Sequence, residues 1–146
     1  MANTPNGVPY PDGNDVPDAP FWLQQLAEYI DTSYGDTGWI TPTISTGWSE
    51  FSTGYQVRVR RIGKTVWLRG ALARAASGDF GSLLLLPPGF TSVQQLFLGT
   101  QTMSSQASYN LLLSTAGVLS ISTSYAQGTL PASGGAWPIT SQWVIE

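Results

Sequence analysis

Two short segments alternate between residues for an apolar face and residues for a more polar one. Tyr55-Gln56-Val57-Arg58-Val59-Arg60 is the first and Val66-Trp67-Leu68-Arg69-Gly70-Ala71-Leu72 the second. A period of two is the mark of a half-buried strand, and a helix cannot satisfy it. Between them, Gly63-Lys64 fits a two-residue hairpin turn with glycine first. That turn sets the register. Val59 opposes Leu68 and Val57 opposes Gly70 on an apolar face, while Arg60 opposes Trp67 and Arg58 opposes Arg69 on the other. The Arg60–Trp67 pair predicts a cation–π contact. Directly opposed arginines repel, so that face needs carboxylates or solvent beside it.

More strands follow. Leu83-Leu84-Leu85-Leu86 is a continuous apolar run ended by Pro87-Pro88-Gly89-Phe90, the pattern of a strand covered on both faces. A covering loop or a neighbouring subunit would supply the second cover. Leu96-Phe97-Leu98 is a further short strand. Tyr109 to Leu113 and Val118 to Tyr125 form a second hairpin around Thr115-Ala116-Gly117, and Ile139 to Ile145 closes the chain with Trp143 and Ile145 on one face and Val144 on the other. Residues 32–52 hold an irregular strand and a loop. Gly and Pro together number 26, which favours turns over long helices. The expected fold class is mainly β: a β-sandwich or jelly-roll-like head over residues 32–146, with seven or eight strands at short spacing.

The N-terminal part differs. Asn3, Pro5, Gly7, Pro9, Pro11, Gly13 and Pro17 leave residues 1–17 little room for helix or strand pairing, so they read as an extended arm. Pro9, Tyr10 and Pro11 are its candidate anchoring residues. A short helix is expected over 18–31, with Asp18 as N-cap and Pro20 in the first turn. Leu23, Leu26, Ala27 and Ile30 share one helical face, and Trp22 and Tyr29 form a second apolar edge. A helix of about three turns is marginal alone and must pack on something. Spacing leaves two options open: its own β domain, or its symmetry mates around an axis through Leu23, Leu26 and Ile30.

Charge is sparse, at 10% of residues, against 42% hydrophobic. Low charge with that hydrophobicity is not the composition of a disordered chain. It points instead to a surface that partly faces another chain, with a monomer covered by Ser, Thr and Gln as the alternative. All six basic residues lie between Arg58 and Arg74, whereas seven acids and no base precede Arg58. Mutual neutralisation of the two segments, within or between chains, is preferred over a nucleic-acid patch, and no nucleic-acid partner is expected.

Chemistry is hard to assemble from these residues. Cys and His are both absent, which removes disulfides, thiolate metal sites and the common nucleophile–base pairs. Asp12-Gly13-Asn14-Asp15 departs from an EF-hand loop, because Val16 takes a ligand position and Leu23 stands where the closing Glu belongs. Glycoside chemistry would have to use Glu50 and Asp79. No cofactor is expected, and no enzyme activity. No apolar run reaches the length of a membrane helix, so no membrane insertion is expected. Met1 to Gly13 has neither basic region nor apolar core, which predicts synthesis in a cytoplasm without a cleaved signal. The remaining candidates for surface binding are aromatics among small hydroxyls: Tyr109, Tyr125 and Trp137, the last in the loop-like stretch Ala132-Ser133-Gly134-Gly135-Ala136-Trp137-Pro138.

Two stretches resemble tail-fibre, minor tail and receptor-binding proteins of phages infecting Gram-positive hosts, especially actinobacteria. The first is Pro5-Asn6-Gly7-Val8-Pro9-Tyr10-Pro11 with Asp15, leading into Leu23-Gln24-Gln25-Leu26-Ala27-Glu28-Tyr29-Ile30-Asp31. The second is Val57-Arg58-Val59-Arg60-Arg61-Ile62-Gly63-Lys64-Thr65-Val66-Trp67-Leu68-Arg69-Gly70, followed by Leu86-Pro87-Pro88-Gly89-Phe90. The resemblance implies a homotrimer on the virion surface, assembled in the host cytoplasm. Its residues 1–20 would attach to another virion protein, and its β head would face outward to host cell-wall glycan or surface protein. It supplies no catalytic residue. A capsid decoration protein that binds no host is the alternative, and a carbohydrate-active enzyme the second.

Overall fold

The computed structural model describes residues 2–4, 9–10 and 19–146. Among the described residues the protein is mainly β with one α-helix, as the periodicities predict. At the N-terminus β1 (Ala2–Asn3) and β2 (Pro9–Tyr10) form a short antiparallel ribbon, Ala2 opposite Tyr10 and Asn3 opposite Pro9. The expectation of an unpaired arm is corrected there: proline is tolerated in a two-residue edge pairing where no ladder N–H is required of it. Pro11, and Asp18 as N-cap, lie outside the described residues.

The helix α1 spans Ala19–Tyr34, longer than the 18–31 expected. Pro20 sits in its first turn. At the other end the Gly35 N–H donates to the Asp31 carbonyl at 2.7 Å, and the Gly63 N–H donates to the Gly35 carbonyl at 2.9 Å. The helix therefore ends on the hairpin turn. Trp22, Leu26 and Tyr29 are half-buried, whereas Leu23 is 66% and Ile30 50% exposed. Of the predicted axial face, only Leu26 turns partly inward.

The remaining strands are β3 (Thr43–Ile44), β4 (Trp48–Glu50), β5 (Arg58–Ile62), β6 (Thr65–Arg69), β7 (Ala71–Arg74), β8 (Leu84–Leu85), β9 (Leu96–Thr102), β10 (Ser108–Leu113), β11 (Val118–Gln127), β12 (Gly134–Pro138) and β13 (Ser141–Val144). They form three antiparallel sheets, in the orders β3-β8-β11-β10-β9, β12-β7-β4 and β13-β6-β5. The β5–β6 hairpin has the predicted register, with Val59 opposite Leu68, Arg60 opposite Trp67 and Arg58 opposite Arg69. Gly63 takes φ +56, which a first-position turn glycine needs, and a Cβ there would stand 2.1 Å from the Ser33 carbonyl oxygen.

The two three-stranded sheets are continuous through the chain. Strand β6 passes into β7 across Gly70 alone, and the partners change from β5 and β13 to β4 and β12. Gly70 adopts φ +124, and a Cβ there would lie 2.6 Å from the Gln56 carbonyl oxygen. Glycine thus allows the bend and the close approach together.

One hydrophobic core joins the sheets. Val59, Val66, Leu68 and Trp143 meet Trp48, Leu72 and Trp137, and these meet Leu84, Leu111, Leu113, Leu119 and Ile121 of the five-stranded sheet. Alternate residues of β10 are buried, as a strand with one core face requires. The Leu83–Leu86 run is only partly covered. Leu83, Leu84 and Leu86 are buried, but Leu85 is 45% exposed, because β8 is two residues long and its second residue faces outward.

Candidate functional site

The five-stranded sheet contains no charged residue. Between Asp79 and Glu146 the chain has no Asp, Glu, Lys or Arg, and β3 contributes only Thr43 and Ile44. Its outward face is read from the register. Leu85 opposes Val118, Ser120 opposes Leu112 and Leu112 opposes Phe97, while Ser122 opposes Asn110 and Asn110 opposes Thr100. The rows therefore pass from apolar, through a mixed row of Ser120, Leu112 and Phe97, to hydroxyl and amide side chains.

Beyond Ser122 the ladder breaks. The next pairing of β11 is Gln127 with Ser108, so additional β11 residues are accommodated there. The bulge turns Tyr125 outward, 62% exposed, into a T-shaped contact with Phe97 at 6.5 Å between centroids. Phe97 is itself 66% exposed. Beside this pair runs an open groove lined by Thr100, Ser108, Asn110, Ser124, Tyr125 and Gln127. Thr100 Oγ1 donates to Asn110 Oδ1 at 2.5 Å, which fixes the amide while leaving its own N–H donors out of that bond. A ring face flanked by hydroxyls and amides, without charge, suits a neutral polyhydroxylated ligand.

Of the three predicted surface aromatics only Tyr125 is exposed. Tyr109 and Trp137 are fully buried. The stretch around Trp137 is a strand, not a loop. A register shift between Gly134 and Trp137 lets β12 pair with β7 and directs the indole inward among Trp48, Phe80 and Tyr109. Trp137 Nε1 donates to the Gly134 carbonyl, and the Tyr109 hydroxyl donates to the Pro138 carbonyl at 2.6 Å. Burial pushes the Tyr109 phenol above its ordinary range. Phe97 was missed: its sequence signal was only the middle place in Leu96-Phe97-Leu98.

The basic cluster lies on the β5–β6 hairpin and its continuation. Glu50 Oε1 accepts from Arg58 at 2.7 Å and also from the Val57 N–H at 3.0 Å. Asp36 forms a two-point ion pair with Arg60. Those hydrogen bonds from Arg60, followed by one from the Gly38 N–H, hold the Asp36 carboxyl down at about 2 and raise the Arg60 guanidinium. Arg61 donates to the Gly89 carbonyl, and Arg74 to the carbonyls of Gly78, Pro131 and Ala132. Two pairs, Glu50 with Arg58 and Asp36 with Arg60, thus join the acidic and basic segments within one chain. The predicted cation–π partner is replaced: Trp39, not Trp67, receives Arg60 at 5.8 Å and Arg69 at 4.1 Å. The isolated bridges Asp36–Ile62 and Ile40–Val59 lay this segment along β5 and so bring Trp39 there.

Glu50 is committed to Arg58 and Val57, and Asp79 accepts from the Gly81 N–H at 2.9 Å. Both carboxylates serve local structure. Among the described residues no group of three or more His, Cys, Asp or Glu is placed to hold a metal, and no helix is long and apolar enough to cross a membrane. Leu23 and Ile30 lie open on α1, Leu26 is half-buried beside them, and Tyr10 is 46% exposed on the ribbon. Comparison with protein-family models, with curated proteins and with solved structures finds no match.

Proposed function

We propose that this chain is a non-enzymatic adhesion module of a phage virion surface, with a β-sandwich head that binds neutral saccharide of the host cell wall through the Phe97–Tyr125 groove. The observation that carries the binding reading is the outward Phe97–Tyr125 pair beside a groove of hydroxyl and amide groups, on a sheet free of charge. Sugar rings present apolar C–H faces and many hydroxyls. They stack on aromatic rings and exchange hydrogen bonds with groups of this kind. The virion setting rests on the two stretches of family resemblance.

A homotrimer is part of this reading. Its support is the exposed Leu23 and Ile30, which lie seven residues apart on one helix face beside the half-buried Leu26. Residues 1–20, with Tyr10 open to solvent, would attach the module to another virion protein.

The test is titration of the full chain with neutral cell-wall oligosaccharides, followed by nuclear magnetic resonance. Saturable shifts at Tyr125 and Asn110, lost in Tyr125→Ala, support the reading. No binding to any neutral oligosaccharide or susceptible cell removes the adhesin. The decoration protein is favoured by one observation: Leu85 and Phe97 are both exposed on the outward face of a single sheet, where another subunit could cover them.

A further inference from the structure

A second concave surface lies where the Thr53–Tyr55 turn faces the bend at Gly70. One half is lined by Thr53, Tyr55, Gln56 and Arg69. The adjoining half is lined by Phe51, Tyr55, Ala71, Ala136 and Pro138, and is apolar. Tyr55 and Gly70 line both halves, so the two adjoin at these residues. Tyr55 is 58% exposed and stands T-shaped to Phe51 at 5.9 Å.

Charge distinguishes this cleft from the groove at Tyr125. Arg58 and Arg69 oppose each other across the hairpin, yet Glu50 neutralises Arg58 alone. Among the described residues Arg69 has no ion pair. Its guanidinium rests on the Trp39 ring at 4.1 Å, a contact that fixes its plane without consuming its N–H donors. A planar, held, unpaired guanidinium is a ready partner for a carboxylate. The nearby Tyr55 ring offers a stacking face, and Thr53 and Gln56 offer a hydroxyl and an amide.

We propose that this cleft binds an acidic saccharide, a sugar ring carrying a carboxylate, with the ring over Tyr55 and the carboxylate on Arg69. It goes beyond the neutral-sugar reading and occupies a different sheet.

The experiment compares a pectin-type oligouronate with its methyl ester, each titrated into the full chain. The free acid should bind, with affinity falling as salt rises, and the ester should bind about tenfold more weakly or worse. Arg69→Gln should bring the acid down to the level of the ester, while Tyr125→Ala should leave it unchanged. Equal affinity for acid and ester overturns the proposal, and that comparison stands even if Arg69→Gln does not fold. An acidic peptide bound as tightly as the oligouronate also overturns it, since the ring would then contribute nothing. Either failure leaves the Tyr125 groove to its own test with neutral sugars.

Discussion

The indole of Trp137 stands edge-on to that of Trp48, with centroids 5.6 Å apart and planes at 87°. This pair joins β12 to β4 across β7, at the point where the bent sheet meets the rest of the core. Trp137→Ala leaves a large void there and should cost about 3–5 kcal/mol. Urea unfolding followed by fluorescence measures it. Tyr125→Ala, on the outward face, should stay within about 0.5 kcal/mol of the parent chain.

Gly70 links this sheet to the β13-β6-β5 sheet, pressed against the Gln56 and Val57 backbone. Any side chain must displace the Gln56 carbonyl or the Val57 backbone and must also hold φ +124. Gly70→Val should lower stability by at least ~1–3 kcal/mol from backbone strain alone. The melting temperature should fall accordingly, and a variant as stable as the parent would mean that the bend relaxes freely.

The ion pair of Asp36 with Arg60 makes a pH prediction. Arg60 first, and the Gly38 N–H second, depress the Asp36 carboxyl to about 2. A depressed carboxyl stabilises the fold at pH above its unfolded value of roughly 4, and that contribution fades as pH falls toward the folded value. Resonance titration of the Asp36 side chain should give a midpoint near 2. In Arg60→Gln the midpoint should return toward the ordinary range.

Tyr109 acts at the other end of the scale. Burial raises its phenol, so the folded state holds the proton longer than the unfolded chain. Stability from this group is complete below the unfolded value of about 10 and is lost as pH climbs beyond it. Tyr109→Phe should flatten that alkaline loss. At neutral pH it should cost about 1 kcal/mol for the hydrogen bond to the Pro138 carbonyl. Denaturant midpoints collected across the alkaline range decide between these outcomes.

The proposed trimer predicts a light-scattering mass near three times the 15.6 kDa chain. Leu23→Asp with Ile30→Asp should return it to one chain, because carboxylates would be buried unpaired at an axial interface. A parent protein that is already monomeric would remove the trimer.

The hairpin was legible in the sequence down to its residue pairs, because a two-residue turn with Gly63 leaves a single register compatible with the alternation. The β10–β11 hairpin was legible from its Thr115-Ala116-Gly117 turn, but its register was not. Trp137 was not. Gly134 and Gly135 made its segment look like a loop, whereas they accompany the register shift that seats the indole in the core. Arg60 was expected on Trp67, its cross-strand neighbour, because Trp39 reaches it only through isolated bridges that no periodicity announces. Of the candidate site, Tyr125 could be read from sequence, but the bulge that exposes it depends on β10 and β11 falling out of step.

The uncharged five-stranded sheet has a consequence for the conditions under which the protein can work. Its outward face carries no Asp, Glu, Lys, Arg or His side chain. Attachment through that face should therefore hold equally in dilute and in concentrated salt. Attachment through Arg69 should weaken as ionic strength rises. One molecule would then carry a grip indifferent to its medium and another that reports on it.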